Sequence, residues 1–446
     1  MNPNIDHEQP VSKLYMQLAI PLVFSMVITL VYNLTDTFFV AATANTDLVA
    51  GVSLGAPVFT FLMALGNIFG QGGSSLLARL LGQNRIEDGR HVSVWCFYLS
   101  LMVGFVIGIL LILFQKPMLS LLGADKETFD YAKEYYIWLA IGAPVIVNSF
   151  VHTNLLRTEG LAKESMISTI GGAIVNILLD PLLISTMDLG AAGAAIATVI
   201  GYIFTMCYSL YVVQTKSDCL SASVHKFHIS SQDQKQILSI GVAAAITNIM
   251  QSVGVIFLNL ALLPYGNDKI AAMGIALKVS LIVLMIITGL TFGGQPLFGF
   301  YYGANNKERL RKTILFATLI TSAAALGLSL FVILLAPQLL SVFLSDASFI
   351  RIGTPMLQFQ VISMVCVGLI MLATILFQSI GKAIPALILS ICRQGVIFMI
   401  GLYILPRLMG SSGILLTQAL ADLLTALIAL FLFYRHFHWI LKTKDQ

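Results

Sequence analysis

Two six-helix bundles spanning a membrane are the fold that this chain of 446 residues predicts, and three observations carry the expectation. The first is composition: 58% of the residues are hydrophobic and only 10% charged, against about 25% charged in a soluble protein. The second is segmentation, because apolar runs of about 20 residues, the length a helix needs to cross a bilayer, alternate with short polar breaks. The third is an internal repeat. GQNRIEDGR from Gly82 returns as GANNKERLR from Gly303, 221 positions later. The same spacing carries Asp47 onto Asp268, Gly160 onto Gly381, and Gly72 and Gly73 onto Gly293 and Gly294. The predicted class is an all-α polytopic membrane protein with twelve transmembrane helices. Six helices per repeat is an even number, so both halves enter from one side, as a parallel repeat about a pseudo-two-fold axis along the membrane normal.

Taken in order, the helices are expected at roughly 15–43, 48–81, 91–114, 131–157, 165–185 and 190–214, then 237–262, 270–302, 313–335, 353–379, 385–406 and 411–435. Proline and glycine inside the spans (Pro57, Gly66, Gly70, Pro144, Pro296, Gly299) mark bends or close packing. The domains are then an N-terminal bundle over 1–214, a polar linker over 215–236 and a C-terminal bundle over 237–446. Most of the 25 basic residues fall in loops on the side of the N-terminus, notably Arg79, Arg85 and Arg90 and the run Lys307, Arg309, Arg311, Lys312. By the positive-inside rule both termini are cytoplasmic. Glu87 and Glu308 are candidate ion-pair partners in those loops. A net charge of +4 spread this way sets topology and does not call for nucleic acid. The five cysteines include no CxxC pair and are read as free thiols. No phosphate-cradling glycine loop, HExxH or nucleophile constellation is present, so the expectation is a transporter and not an enzyme.

The stretch NILLDPLLI, from Asn176 to Ile184, puts Asp180 into an apolar span. Asn176 lies four residues earlier and shares its helix face, while Pro181 removes a backbone donor next to the carboxylate. An ionisable group at membrane depth costs at least ~2.5 kcal/mol and by default marks a functional site. Its expected partner is Asp36, in YNLTDTFFV of the first span. Two acids there suggest a cation or proton site. The repeat fails at these positions, since its spacing carries Asp36 onto Phe257 and Asp180 onto Gly401. The acid site is therefore assigned to the N-terminal bundle.

RTEGLAKESMISTIGGAIVNILLDPLLI from Arg157, YNLTDTFFV, and the repeated GQNRIEDGR loop resemble the multidrug and toxic compound extrusion (MATE) transporters. The similarity is greatest to the bacterial MepA-type and DinF-type branch and covers the whole chain. It implies a MATE-type fold in a bacterial cell membrane, and export of amphipathic, often cationic compounds driven by inward H⁺ or Na⁺. The family's ion site carries over onto Asp36, Asn176 and Asp180, with Thr198 in GAAGAAIATVIGY completing it. Two carboxylates, an amide and a hydroxyl are hard oxygen ligands suited to a small cation, and the same acids are able to carry protons instead. No cofactor beyond that cation is expected. A lipid-linked saccharide flippase, the competing function, would carry several basic residues inside its spans to meet polyanionic cargo.

Only Lys278 and Arg393 are basic residues within spans. Arg393 and Asp422 are read as a structural pair on neighbouring helices, Lys278 as a snorkelling side chain, and His152 as a buried, hydrogen-bonded histidine. His225, His228, His436 and His438 read as solvated. Tyr32, Gln71, Tyr136, Asn148, Asn154 and Gln251 are candidate polar residues of the substrate cavity. The lipid bilayer and small drugs are the expected partners, and the two-bundle chain is expected to function as a monomer.

Overall fold

The computed structural model describes residues 9–342 and 346–442. Twelve helices in it are long and apolar enough to cross a membrane. They are α1 (Val11–Ala42), α2 (Thr46–Gly82), α3 (Ile86–Leu113), α4 (Phe129–Glu159), α5 (Ala162–Thr186) and α6 (Gly190–Thr215), then α7 (Ser231–Tyr265), α8 (Asp268–Gly303), α9 (Lys307–Leu334), α10 (Ala347–Ser379), α11 (Ala383–Met409) and α12 (Ser411–His438). No strand occurs among the described residues. Several spans depart from regular α-helix, α8 among them with a break at Gly294. α5 finishes as a π-helical segment over Pro181–Thr186, α11 carries another over Cys392–Val396, and α10 is broken at Ser363.

The repeat seen in the residues is also a repeat of backbone events. α3 and α9 each run 28 residues, and each is followed by a short helix, Gln115–Leu121 and Ala336–Ser341. All four begin 221 positions apart in their pairs. The turns entering α3 and α9 pass through left-handed residues, Asn84 at φ 63° and Asn305 at φ 53°. Asparagine tolerates that region because its short amide bonds locally. α4 and α10 are likewise followed by left-handed glycines, Gly160 at φ 102° and Gly381 at φ 82°, the usual way a helix stops.

Two compact units emerge, and their boundaries differ from those expected at 214 and 237. The first unit includes Phe24–Ala245; the second joins Gln9–Val23 to the chain from Ile246 onward. The cuts therefore fall inside α1 and α7. Glycine explains both. In the second unit a Cβ on Gly293 of α8 would collide with Ala19 of α1, and one on Gly289 would lie 2.7 Å from the Cα of Val23. There the Tyr15 hydroxyl donates to the Leu290 carbonyl at 2.6 Å. In the first unit Gly72 of α2 meets the Ile237 carbonyl of α7, and Gly241 meets that of Ile68. Gly72 and Gly293 are repeat equivalents, so one small-residue face lets a helix approach closely in each unit.

The linker is shorter and more ordered than its polarity suggested. α7 begins at Ser231, since the Ser230 hydroxyl accepts the Asp233 N–H at 3.1 Å and donates to the Asp233 carboxylate at 2.7 Å, a capping arrangement. Upstream, the buried Glu159 carboxylate at the end of α4 accepts the N–H groups of Asp218 and Cys219 at 2.9 and 3.0 Å and the Ser217 hydroxyl at 2.6 Å. Arg90 donates to the Asp218 carbonyl and Lys226 pairs with Glu87 at 2.8 Å. His228 is exposed, as expected, while its backbone carbonyl meets the His91 ring at 2.6 Å. The linker is thus strapped to α3 and α4. Glu308 pairs within its own helix, with Lys312. All five cysteines are free.

Candidate functional site

Regular α-helix in α5 ends on Asp180, and Pro181 opens the π-helical segment. Proline lacks the N–H that the ladder needs, so the backbone widens at the carboxylate. Asp180 is fully buried, and Asn176, one turn earlier, is 2% exposed. Both sit where α5 meets α6, a crossing kept tight by Gly172 and Gly201. A Cβ on Gly201 would lie 2.7 Å from the Gly172 carbonyl oxygen and 3.3 Å from the Asn176 Cβ. This proximity brings the Asn176 amide to the buried Thr198 hydroxyl at 3.4 Å.

α1 supplies the remaining members. Tyr32 lies beside Thr198, and Asp36, one turn further on, lies within electrostatic reach of Asp180. Asp36, Asn176, Asp180 and Thr198, with Tyr32, therefore come together inside the first unit. Two tyrosines missed in the sequence join them. Tyr135 of α4 lies within electrostatic reach of both acids, its ring filling the space that Gly55 of α2 leaves open. Tyr202 of α6 approaches Tyr32, with its ring 5.8 Å from Phe59 and 5.9 Å from Phe150. Their signal was present only as helical spacing: Tyr202 falls four residues after Thr198, and Tyr135 adjoins the tyrosine that was chosen.

Both oxygens of Asp180, Oδ1 of Asp36 and Oδ1 of Asn176 have no hydrogen-bond partner among the described residues. Leaving a buried acceptor unpaired costs about 1–3 kcal/mol, and more when it is charged. A small cation or a proton on the carboxylates removes that cost. The donor set, oxygen throughout, fits either.

The other candidates lie elsewhere. Tyr136 is fully buried and its hydroxyl donates to the Leu111 carbonyl of α3 at 2.9 Å, because adjacent helical residues point about 100° apart. Asn148 is likewise turned to α3, donating to the Phe97 carbonyl at 2.9 Å and the Ser100 hydroxyl at 2.8 Å. Gln71 donates to the Asn154 side-chain oxygen at 3.1 Å, which Arg157 also approaches, forming a separate α2–α4 cluster. Gln251 is half-buried on α7, in the second unit. His152 is buried against Phe97, ring centroids 5.0 Å apart, yet neither ring nitrogen has a hydrogen-bond partner among the described residues, contrary to the expectation for it. Arg393 and Asp422 do pair, at 2.9 Å. Lys278 is exposed on α8.

Compared with known families, the chain matches the MatE model twice, over residues 21–182 and 243–404, once in each repeat. The chain belongs to that family. Among its relatives, the multidrug export protein MepA of Staphylococcus haemolyticus is 28% identical, covering 96% of this chain and 94% of the relative. A crystal structure of MATE in complex with MaL6 superposes with a TM-score of 0.92 at 28% identity, covering 98% of each chain. The outward-facing conformation of a multidrug resistance MATE family transporter of the MOP superfamily gives 0.91, again at 28% identity and 98% coverage of each. This MatE protein is accordingly a multi-pass membrane transporter and not an enzyme, with the MATE fold throughout.

Proposed function

We propose that this MatE protein is a secondary multidrug antiporter of the bacterial cell membrane. It exports amphipathic, often cationic compounds in exchange for H⁺ or Na⁺ by alternating access, with both termini cytoplasmic. It works as a monomer in the lipid bilayer and needs no cofactor beyond the coupling cation. The reading rests above all on the acid pair of half-buried Asp36 and buried Asp180, gathered with Asn176 and Thr198, in which both Asp180 oxygens and Oδ1 of Asp36 have no hydrogen-bond partner among the described residues. Kinship with export proteins named MepA supports the drug cargo.

The cluster's chemistry supplies a coupling logic. A cation or proton reaching Asp36 and Asp180 neutralises them and favours the packing of α1, α5 and α6 that accommodates it. Cargo favours the other state. Antiport follows only if ion and cargo prefer different states, because a ligand that binds both equally shifts nothing.

The test uses liposomes holding the protein and a fluorescent cationic dye, under an imposed Na⁺ gradient and then an imposed pH gradient. Dye movement driven by one gradient, and lost in Asp36→Asn or Asp180→Asn, identifies the ion. Movement that needs neither gradient and survives both substitutions refutes the antiporter and favours a lipid-linked saccharide flippase.

A further inference from the structure

The second unit buries a charged cluster of its own, at two of the irregular points in its helices. Arg393 sits in the π-helical segment of α11, and Ser363 stands at the break in α10. π-Segments within α-helices often mark functional sites. Both surround Asp422 of α12. The Asp422 carboxylate accepts the Ser363 hydroxyl on Oδ2 at 2.6 Å, and on Oδ1 the Arg393 Nε–H at 2.9 Å and the Gln418 amide at 3.1 Å. Asp422 keeps 1% of its side-chain surface accessible and Arg393 10%. Arg393 lies ten residues into α11, roughly 15 Å along its axis at 1.5 Å per residue.

The geometry is not that of a pair closed on itself. A guanidinium has five N–H donors, and its strongest pairing with a carboxylate is bidentate. Asp422 takes Nε alone, and its own valence is met by Ser363 and Gln418. The terminal nitrogens Nη1 and Nη2 have no partner among the described residues. Neither is fully sealed, and the Arg393 side chain keeps a tenth of its surface accessible. A planar fork of donors is thus held at membrane depth, its orientation set from behind by a carboxylate.

We propose that Arg393 is a carboxylate-binding site for amphiphilic cargo. The fork takes a carboxylate end-on, in the bidentate geometry that only arginine offers. The guanidinium would then bridge two carboxylates, leaving one net negative charge, so the fitting ligand is a zwitterion that brings its own cation. This goes beyond the acid-pair reading: the site lies in the other unit and recognises the opposite charge.

Equilibrium binding without any gradient tests the site independently of antiport. The probes are a zwitterionic xanthene dye with a free carboxylate and its methyl ester, titrated against the purified full chain in nanodiscs by fluorescence anisotropy. Arg393→Gln is expected to weaken the acid about 10-fold or more, given about 1.5–3 kcal/mol for hydrogen bonds to charged groups. The ester's affinity is expected to hold, and Arg393→Lys to fall between. If the single substitution does not fold, the double variant R393Q/D422N, which strands no buried charge, is expected to show the same selective loss. Acid affinity that survives in the variant overturns the proposal. So does an equal loss for acid and ester, the mark of a purely structural pair.

Discussion

A buried carboxylate that no neighbouring donor reaches is stable only when neutral or beside a cation, which makes the two acids of the first unit unequal to ordinary packing residues. Asp180→Asn is expected to abolish gradient-driven dye efflux while equilibrium dye binding persists, read by transport and anisotropy on one preparation. Thr198→Ala removes one neutral ligand, worth about 1 kcal/mol, and is expected to slow efflux about five-fold. Cys219, outside the spans, behaves differently. Burial, with the Glu159 carboxylate beside it, pushes its thiol up to about 12. Only a thiolate reacts, so maleimide is expected to leave Cys219 unlabelled in folded protein at pH 8. Labelling should grow as pH approaches that value or once denaturant opens the strap. At this scale the acids, Asn176 and Pro181 were legible because charge and proline are conspicuous in an apolar run. Tyr135 was not: one step of helical rotation separates it from Tyr136, and no apolar pattern in a span buried all round tells the two faces apart.

Helix crossings, and not single side chains, hold the acid cluster in place. A Cβ at Gly201 would press on the Gly172 carbonyl of α5. Gly201→Val is expected to cost about 1–3 kcal/mol by overpacking and to part Asn176 from Thr198. A lower unfolding temperature in detergent, with transport lost in parallel, would bear this out; unchanged values would refute the role of the crossing. The strap makes a second prediction. Glu159→Gln weakens the charged acceptor for two backbone N–H groups and is expected to speed hydrogen exchange at Asp218 and Cys219. The spans were legible from length and hydropathy, and the repeat from GQNRIEDGR and its echo. The π-segments were hidden, because Cys392–Val396 contains no proline and its widening answers to tertiary packing. The linker's order was hidden too, for it rests on the Ser217 hydroxyl bonded to Glu159 and on backbone carbonyls of Ser221 and Ala222 that accept from Ser93 and Tyr98, which no residue pattern marks.

At the scale of the whole molecule, the chain's loops suggested one partition and its packing adopts another. Composition alone places boundaries where polarity rises, near 214 and 237. Glycine faces on α2 and α8 instead draw the start of α7 into the first unit and the start of α1 into the second. Those contacts join residues far apart in the chain, which no local pattern reveals. Their consequence lies in synthesis. Tyr15 finds the carbonyl of Leu290, 275 positions further along the chain, so the opening segment leaves the ribosome long before its partner helix exists. Contacts of such separation form late. Expression of 1–214 alone is expected to leave Ala19 and Val23 uncovered and the start of α1 sensitive to protease, with protection restored when the rest of the chain is co-expressed. The part of the protein made first is among the last to be secured.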